Sequence, residues 1–376
     1  MMEDNLGKIS RRDFLRSASG MIAAGALAGG PVLAGEDAPR RAGFWERLDH
    51  GRVGCRLCPR NCVIADGRRG ACRVRENRGG TLYTLSWGKP CAIHTDPIEK
   101  KPFYHFLPGT TALSLSTVGC NMTCLFCQNW QISQSSPEDN PSETVNPGFF
   151  PRKAVQSGAS SIAFTYGEPV VFIEYAMDIA EAAKASGIRS VAVSNGYIES
   201  EALKALCSSV DAIKVDLKAF EDGYYTKICG GKLDPVLRSL VDIRSRGVWL
   251  EIVYLMVPTL NDDPDSISRM ASWIMSELGP DVPVHFSRFL PAYRLPDLPP
   301  TPVSSLVAAR QICLGSGMHY VYIGNVAGHE ADSTYCRSCS RMIIERFGYE
   351  IRSMEMDGDR CRFCGAVQPG VWRKDT

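Results

Sequence analysis

No apolar run in this sequence reaches the ~18 residues that a membrane-spanning helix needs, so no stable membrane insertion is expected. An excess of either charge is also missing: 42 Lys and Arg face 41 Asp and Glu, a formal net charge of +1. Without a basic surplus there is no electrostatic case for nucleic acid as the main partner. Glycine and proline are plentiful, at 34 and 23, yet nowhere in the glycine, lysine and hydroxyl spacing of a phosphate loop. Compositional bias is absent too. With 44% hydrophobic and 22% charged residues, disorder and collagen-like structure are excluded. Cysteine is what stands out: 15 of 376 residues, tightly clustered, which points to metal chemistry rather than a disulfide lattice. A chain of this length accommodates one core of roughly 200–250 residues plus smaller modules.

Near the start, Ser10-Arg11-Arg12-Asp13-Phe14-Leu15-Arg16 precedes an Ala/Gly-rich apolar run from Met21 to Ala34. This resembles a twin-arginine signal, with Val32-Leu33-Ala34 as the cleavage site. Residues 1–34 are therefore set aside from the fold. The expectation is export to the periplasm or cell surface after cytoplasmic folding around a cofactor, with cytoplasmic retention as the alternative.

Three cysteine modules follow. In residues 50–106, Cys55-Arg-Leu-Cys58-Pro-Arg-Asn-Cys62 is joined by Cys72, four thiols without helical periodicity among Gly and Arg. A loop-rich knuckle on zinc is favoured, and a second iron–sulfur cluster is the rival, because spacing alone does not choose the metal. In residues 329–376, Cys336-Arg-Ser-Cys339 and Cys361-Arg-Phe-Cys364 flank a β-rich segment over Met342–Ile351. Paired C-x-x-C turns at that separation read as a zinc ribbon. The middle module, Cys120-Asn-Met-Thr-Cys124-Leu-Phe-Cys127, has three cysteines and no fourth nearby. A cluster bound there keeps one iron without a protein ligand, and an open position is what separates a catalytic from a structural site.

From residue 107 to 328 short β-branched runs alternate with amphipathic stretches. Strands are expected over 112–117, 161–165, 190–194, 212–217, 250–257, 284–289 and 320–323. Helices are expected over 170–185, 199–208, 235–246, 266–278 and 303–316. The alternation predicts an α/β fold built on a parallel sheet, a partial to full (β/α) barrel, with a doubly wound sheet as the alternative from pattern alone. The barrel is favoured because the cysteine loop, Glu168 and Ser194–Asn195 fall at the ends of successive strands. In Lys214-Val-Asp216-Leu-Lys218, alternation puts three charges on one strand face, which suits a polar cavity rather than a dry core.

The C-x3-C-x2-C loop, Thr165-Tyr-Gly-Glu168-Pro169 and the Asp216-Leu-Lys218 strand together resemble the radical S-adenosylmethionine (SAM) superfamily. Within it the chain is similar to pyruvate formate-lyase activating enzyme-like proteins. Cys58-Pro-Arg-Asn-Cys62, Asp96-Pro-Ile-Glu-Lys-Lys-Pro102, Tyr104-His-Phe106 and the terminal knuckles narrow this to the AmmeMemoRadiSam system radical SAM enzymes. The resemblance implies a [4Fe–4S] cluster on Cys120, Cys124 and Cys127, with SAM chelating the fourth iron. Reductive cleavage of SAM would give methionine and a 5′-deoxyadenosyl radical that abstracts hydrogen, the protein supplying position, water exclusion and potential. It further implies that Glu168 receives the SAM amino group, that Ser194 and Asn195 contact its ribose and methionine, and that Asp216 and Lys218 handle the carboxylate end. Tyr166 stands where relatives carry a glycine. The implied partners are SAM, an electron donor and either a protein substrate or the other members of that system. An exported iron–sulfur electron carrier and a nucleic-acid-modifying enzyme are the rival readings.

Isolated Cys207, Cys229 and Cys313 read as buried small hydrophobes. Cys91 is a possible spare ligand for the first module. His285 and Arg288 are candidate substrate contacts or a structural pair, and Lys100, Lys101 and His105 either bind an anion or form a solvated face.

Overall fold

The computed structural model describes residues 40–372. The expected twin-arginine segment, residues 1–34, lies outside them.

One eight-stranded sheet organises the chain. Its strands are β1 (Ala92–Pro97), β2 (Thr111–Ser116), β3 (Ser161–Phe164), β4 (Arg189–Ser194), β5 (Ala212–Asp216), β6 (Trp249–Met256), β7 (Val284–Arg288) and β8 (Val321–Gly324). They lie side by side in chain order, with β1 antiparallel to β2 and every later pairing parallel. Each of the six parallel steps needs a crossover, and each crossover carries a helix. These are α1 (Phe149–Gln156), α2 (Ile173–Ala185), α3 (Ser200–Ser209), α4 (Leu233–Ser245), α5 (Pro264–Glu277) and α6 (Val303–Gly315). β1 and β8 form the two edges and do not pair, so within the expected range from partial to full barrel the sheet is open.

All seven expected strands are present, each within a residue or so of its predicted bounds. β1 and α1 are additional. β1 mixes His94, Thr95 and Asp96 into its six residues, so no β-branched run marks it. Its register on β2 from Ala92↔Ser116 to Pro97↔Thr111 makes it a strand, and Pro97 is tolerated because it ends an edge.

Alternation along the strands separates two environments. Ile213, Val215 and Ile252 are buried in the main apolar core, together with Ile179 of α2, Leu240 of α4 and Ile274 of α5. Lys214, Asp216, Val253 and Leu255 face the opposite way and line a cavity.

Beneath that cavity a buried polar cluster joins the sheet to both terminal modules. Glu251 of β6 accepts from the backbone N–H groups of Tyr104 and His105 and from Trp249 Nε1 (3.0 Å), and lies 2.7 Å from His285 Nε2. Arg346, wholly buried, donates to the Tyr104 carbonyl and to Thr334 Oγ1. It belongs to the C-terminal hairpin β9 (Met342–Phe347) and β10 (Glu350–Met354), found where a β-rich segment was expected. His285 is therefore structural, and its partner is Glu251 rather than Arg288. His105 is likewise neither an anion ligand nor part of a solvated face: it is fully buried, between the Pro369 carbonyl and the Tyr322 hydroxyl.

Candidate active site

Cys120, Cys124 and Cys127 sit on the loop after β2, at the carboxyl end of the sheet. Gly119 precedes them at φ +94°, a conformation that favours glycine. All three cysteines line one cavity of about 510 Å³ together with Glu168, Ser194, Asn195, Asp216 and Lys218. Every residue that the sequence assigned to the cluster or to SAM thus lies on one wall or another of the same space.

Glu168 follows β3 and is 3% exposed. One carboxylate oxygen accepts from Ser194 Oγ at 2.7 Å and Val170 N at 3.1 Å, and the other from Asn195 N at 2.8 Å. These donors are neutral. Burial pushes the carboxyl up to about 7, although the three hydrogen bonds pull it down. Ser194 and Asn195 therefore hold Glu168 as well as lining the cavity. Asn195 Nδ2 also donates to Asn121 Oδ1 at 2.8 Å, fixing the amide beside the cysteine loop.

Asp216 lies between Lys214 and Lys218, its bond to Lys218 Nζ measuring 2.7 Å. Burial alone would raise its pKa, but the two ammonium groups overcome that and hold it down at about 2. Charges on one strand face are thus paired in a polar cavity, as the alternation predicted.

Two features had no sequence signal. Cys229 lies in the turn Tyr225–Cys229, fully buried and near enough to Cys124 to shift its thiol. It is more than a small hydrophobe. That contact first, and burial second, push the Cys124 thiol up; burial does the same for Cys120 and Cys127, so metal loading must displace protons. The other is an anchor for the turn before Glu168. Tyr166 keeps φ +63° despite its Cβ, a strain of order 1 kcal/mol or more. Its hydroxyl binds Asp96, its carbonyl accepts from Asn129 Nδ2 at 2.8 Å, and the Lys101 ammonium lies 4.2 Å over its ring. Asp96 also binds Lys100 at 2.8 Å and Lys101 at 2.6 Å, and both lysines line the cavity.

The thiol, carboxylate and ammonium set fits the groups expected: three soft ligands for iron, a buried anion for an amine and a cation for a carboxylate. The C-terminal quartet differs. Cys336 and Cys364 sulfurs lie 3.6 Å apart, Cys339 and Cys361 3.8 Å, and all four within 4.8 Å of one another. Among the described residues it is the one group of His, Cys, Asp or Glu side chains gathered closely enough to share a single ion. Cys55, Cys58, Cys62 and Cys72 are not brought together that tightly. Cys91 is not with them either: it lies immediately before β1, its backbone N–H donating to the Ser116 carbonyl at 2.8 Å.

The family model described as the Radical SAM superfamily matches residues 114–271, which span β2 to α5 and hold every cavity residue predicted from the motifs. The uncharacterised protein MJ0808 of Methanocaldococcus jannaschii is 43% identical over 328 residues, 87% of this chain and 98% of that protein. The pyruvate formate-lyase 1-activating enzyme of Escherichia coli K12 is 25% identical over 163 residues, 41% of this chain and 65% of the enzyme. Among solved structures, a radical SAM methyltransferase from Sphaerobacter thermophilus aligns with a TM-score of 0.47 at 16% identity, covering 63% of this chain and 71% of that one. A domain of the pyruvate-formate lyase-activating enzyme of Bacteroides vulgatus aligns with a TM-score of 0.40 at 17% identity, covering 44% of this chain and all of that domain. With MJ0808 matched along nearly its whole length and the superfamily model lying over the cysteine loop, the chain belongs to the radical SAM superfamily.

Proposed function

We propose that this radical SAM enzyme acts on a partner protein in the manner of a glycyl-radical activase, within the kind of system that the AmmeMemoRadiSam resemblance names. Cys120, Cys124 and Cys127 hold the cluster and Glu168, Ser194, Asn195, Asp216 and Lys218 hold SAM. When bound, the cluster and SAM together supply a hydrogen-abstracting 5′-deoxyadenosyl radical. The chain's own residues do the positioning. Glu168 takes the SAM ammonium, and Lys218, oriented by Asp216, takes its carboxylate. Asn195 keeps the ligand against the cysteine loop. The observation that carries this reading is a buried carboxylate held by three neutral donors, facing three thiols across one cavity. An electron carrier would have no use for Glu168 or for the Lys214–Asp216–Lys218 row. The C-terminal quartet, with the spacing of one tetrahedral ion, is assigned to structural Zn(II).

Anaerobic reconstitution with iron and sulfide, reduction and addition of SAM tests the reaction, with chromatography for 5′-deoxyadenosine. The parent protein should form it and Cys124→Ala should not. A parent with a complete cluster and no product overturns the reading. An anaerobic pull-down with the chain lacking residues 1–34 then identifies the protein it acts on.

A further inference from the structure

Nothing in that chemistry uses Cys55, Cys58, Cys62 or Cys72. Two turns fold them toward one another: Asn61 N–H donates to the Cys58 carbonyl at 3.0 Å, and Arg73 N–H to the Gly70 carbonyl at 2.9 Å. Asn61 and Arg73 both adopt positive φ, 44° and 69°, so side-chain-bearing residues accept strain here. Cys55 N–H donates to the Cys62 carbonyl at 2.9 Å, and Cys55, Cys58 and Cys72 each interact electrostatically with the other thiols of the set.

A second observation points to what they bind. Arg75 is wholly buried, and its charge interacts with both Cys55 and Cys72. Nη1 donates to the Gly43 carbonyl at 2.9 Å and Nη2 to Glu174 at 2.5 Å, but Nε has no acceptor. That one buried guanidinium N–H, beside the Cys55 and Cys72 thiols, lacks an acceptor, and metal-bound sulfur is one.

Spacing separates this set from the C-terminal one. With Zn–S bonds of about 2.3 Å, tetrahedral sulfurs lie about 3.8 Å apart. The C-terminal quartet adopts that spacing and the N-terminal quartet does not. Among the described residues neither the N-terminal thiols nor Cys120, Cys124 and Cys127, which the superfamily commits to a four-iron cluster, are gathered closely enough to share a single ion. A cube of iron and sulfide spreads its thiolates over a wider shell than one ion does.

The module also touches the catalytic loop. A Cβ on Gly119 would lie 2.7 Å from the Cys72 carbonyl oxygen, so the peptide at Cys72 is packed against the residue before Cys120. Arg60, between Cys58 and Cys62, donates to the carbonyls of Asn121 and Gly230.

We propose that Cys55, Cys58, Cys62 and Cys72 hold a second four-iron cluster, with Arg75 as its hydrogen-bond donor, which passes single electrons to the centre on Cys120, Cys124 and Cys127. In each transfer the N-terminal cluster is oxidised by one electron and the other centre reduced by one. No proton or bond moves, and an external low-potential one-electron donor protein restores the N-terminal cluster. The relay rests on the radical SAM reading of the cavity; the cluster itself does not.

Metal and sulfide analysis of the anaerobically reconstituted full chain tests the site without any substitution. Two four-iron clusters give about eight irons and about eight sulfides per chain, with zinc confined to one per chain. About four irons with two zincs overturns the proposal. A C120A/C124A/C127A variant should retain about four irons and, once reduced, a paramagnetic cluster signal; a variant with no iron overturns it too. Arg75→Leu should shift that signal's midpoint potential to more negative values, and an unmoved potential removes Arg75 from the site. For the relay, a flavodoxin-type donor should reduce the Cys120 centre of the parent but not that of C58A/C62A, while dithionite reduces both. Equal reduction by the protein donor overturns the relay. Eight irons without 5′-deoxyadenosine would sink the proposed function and leave this inference standing; four irons and two zincs with product would do the reverse.

Discussion

On the proposed function a single carboxylate at Glu168 does two jobs, closing a hydrogen-bond set in the protein and offering charge to SAM. Glu168→Gln keeps the shape but removes the charge. Losing a charge-assisted bond worth about 1.5–3 kcal/mol should weaken SAM binding roughly ten- to a hundredfold in equilibrium titration of the cluster-loaded protein. The carboxyl titrates at about 7, raised by burial, so below that value it is neutral and offers nothing to an ammonium. SAM affinity of the parent should therefore rise between about pH 6 and about pH 8, while that of the variant should stay flat across the same window. Asp216→Asn acts differently. It leaves buried Lys214, 4% exposed, and half-buried Lys218 as cations without their carboxylate, a loss of up to about 3 kcal/mol that should appear as a lower urea midpoint. Lines of charge and cysteine such as these were legible in the sequence because their spacing is local. Cys229 was not: it reaches Cys124 through a turn a hundred residues away, and no periodicity encodes that approach.

For the elements, the strands were legible because β-branched runs alternate with helical stretches, and the charged face of β5 showed itself through the two-residue period. β1 was hidden, since it is made a strand by its pairing with β2, and its anchoring side chain, Asp96, works through contacts with Tyr166 and Lys101 that no periodicity encodes. The seam between the N-terminal module and the loop after β2 was hidden as well, for its partners are largely backbone carbonyls, of Cys72 and Asn121, which no residue type announces. Gly119 is its tightest point. Gly119→Ala would place a methyl group 2.7 Å from the Cys72 carbonyl oxygen and 2.8 Å from Val74 Cγ1, at φ +94°. Neither neighbour is the free end of a long side chain, so the loop must move. The expected outcome is less iron retained after reconstitution and a lower thermal midpoint, whereas Gly158→Ala, also at positive φ but with nothing within 4 Å of its Cβ, should cost only about 1 kcal/mol and leave iron content unchanged.

The whole molecule is held together beneath the cavity by groups from segments remote in sequence, and His105 is the member whose titration can be read. Its Nδ1 meets the Pro369 carbonyl at 2.7 Å, so that nitrogen carries the proton, and its Nε2 accepts from Tyr322 at 2.6 Å. The ring is thus neutral, and burial, against the opposing pull of Glu251, lowers its pKa from 6.5 to about 4. In the unfolded chain it protonates near the ordinary value, while the folded protein resists until about 4. A depressed folded pKa means that the contribution is present above pH 6.5 and is lost as pH falls toward 4, a change of about 3 kcal/mol over that window. Asp332 and Glu168, both raised to about 7 by burial, work with the opposite sign, their contributions fading as pH rises through 7. The His105 component must therefore be isolated by comparison. His105→Gln should unfold at lower urea than the parent at pH 7, because the two-sided bond joining the residue 104–106 strap, β8 and the C-terminal tail is weakened. From pH 6.5 down to 4 its stability should fall less steeply than that of the parent, and parallel slopes would show that the imidazole does not stay neutral in the fold.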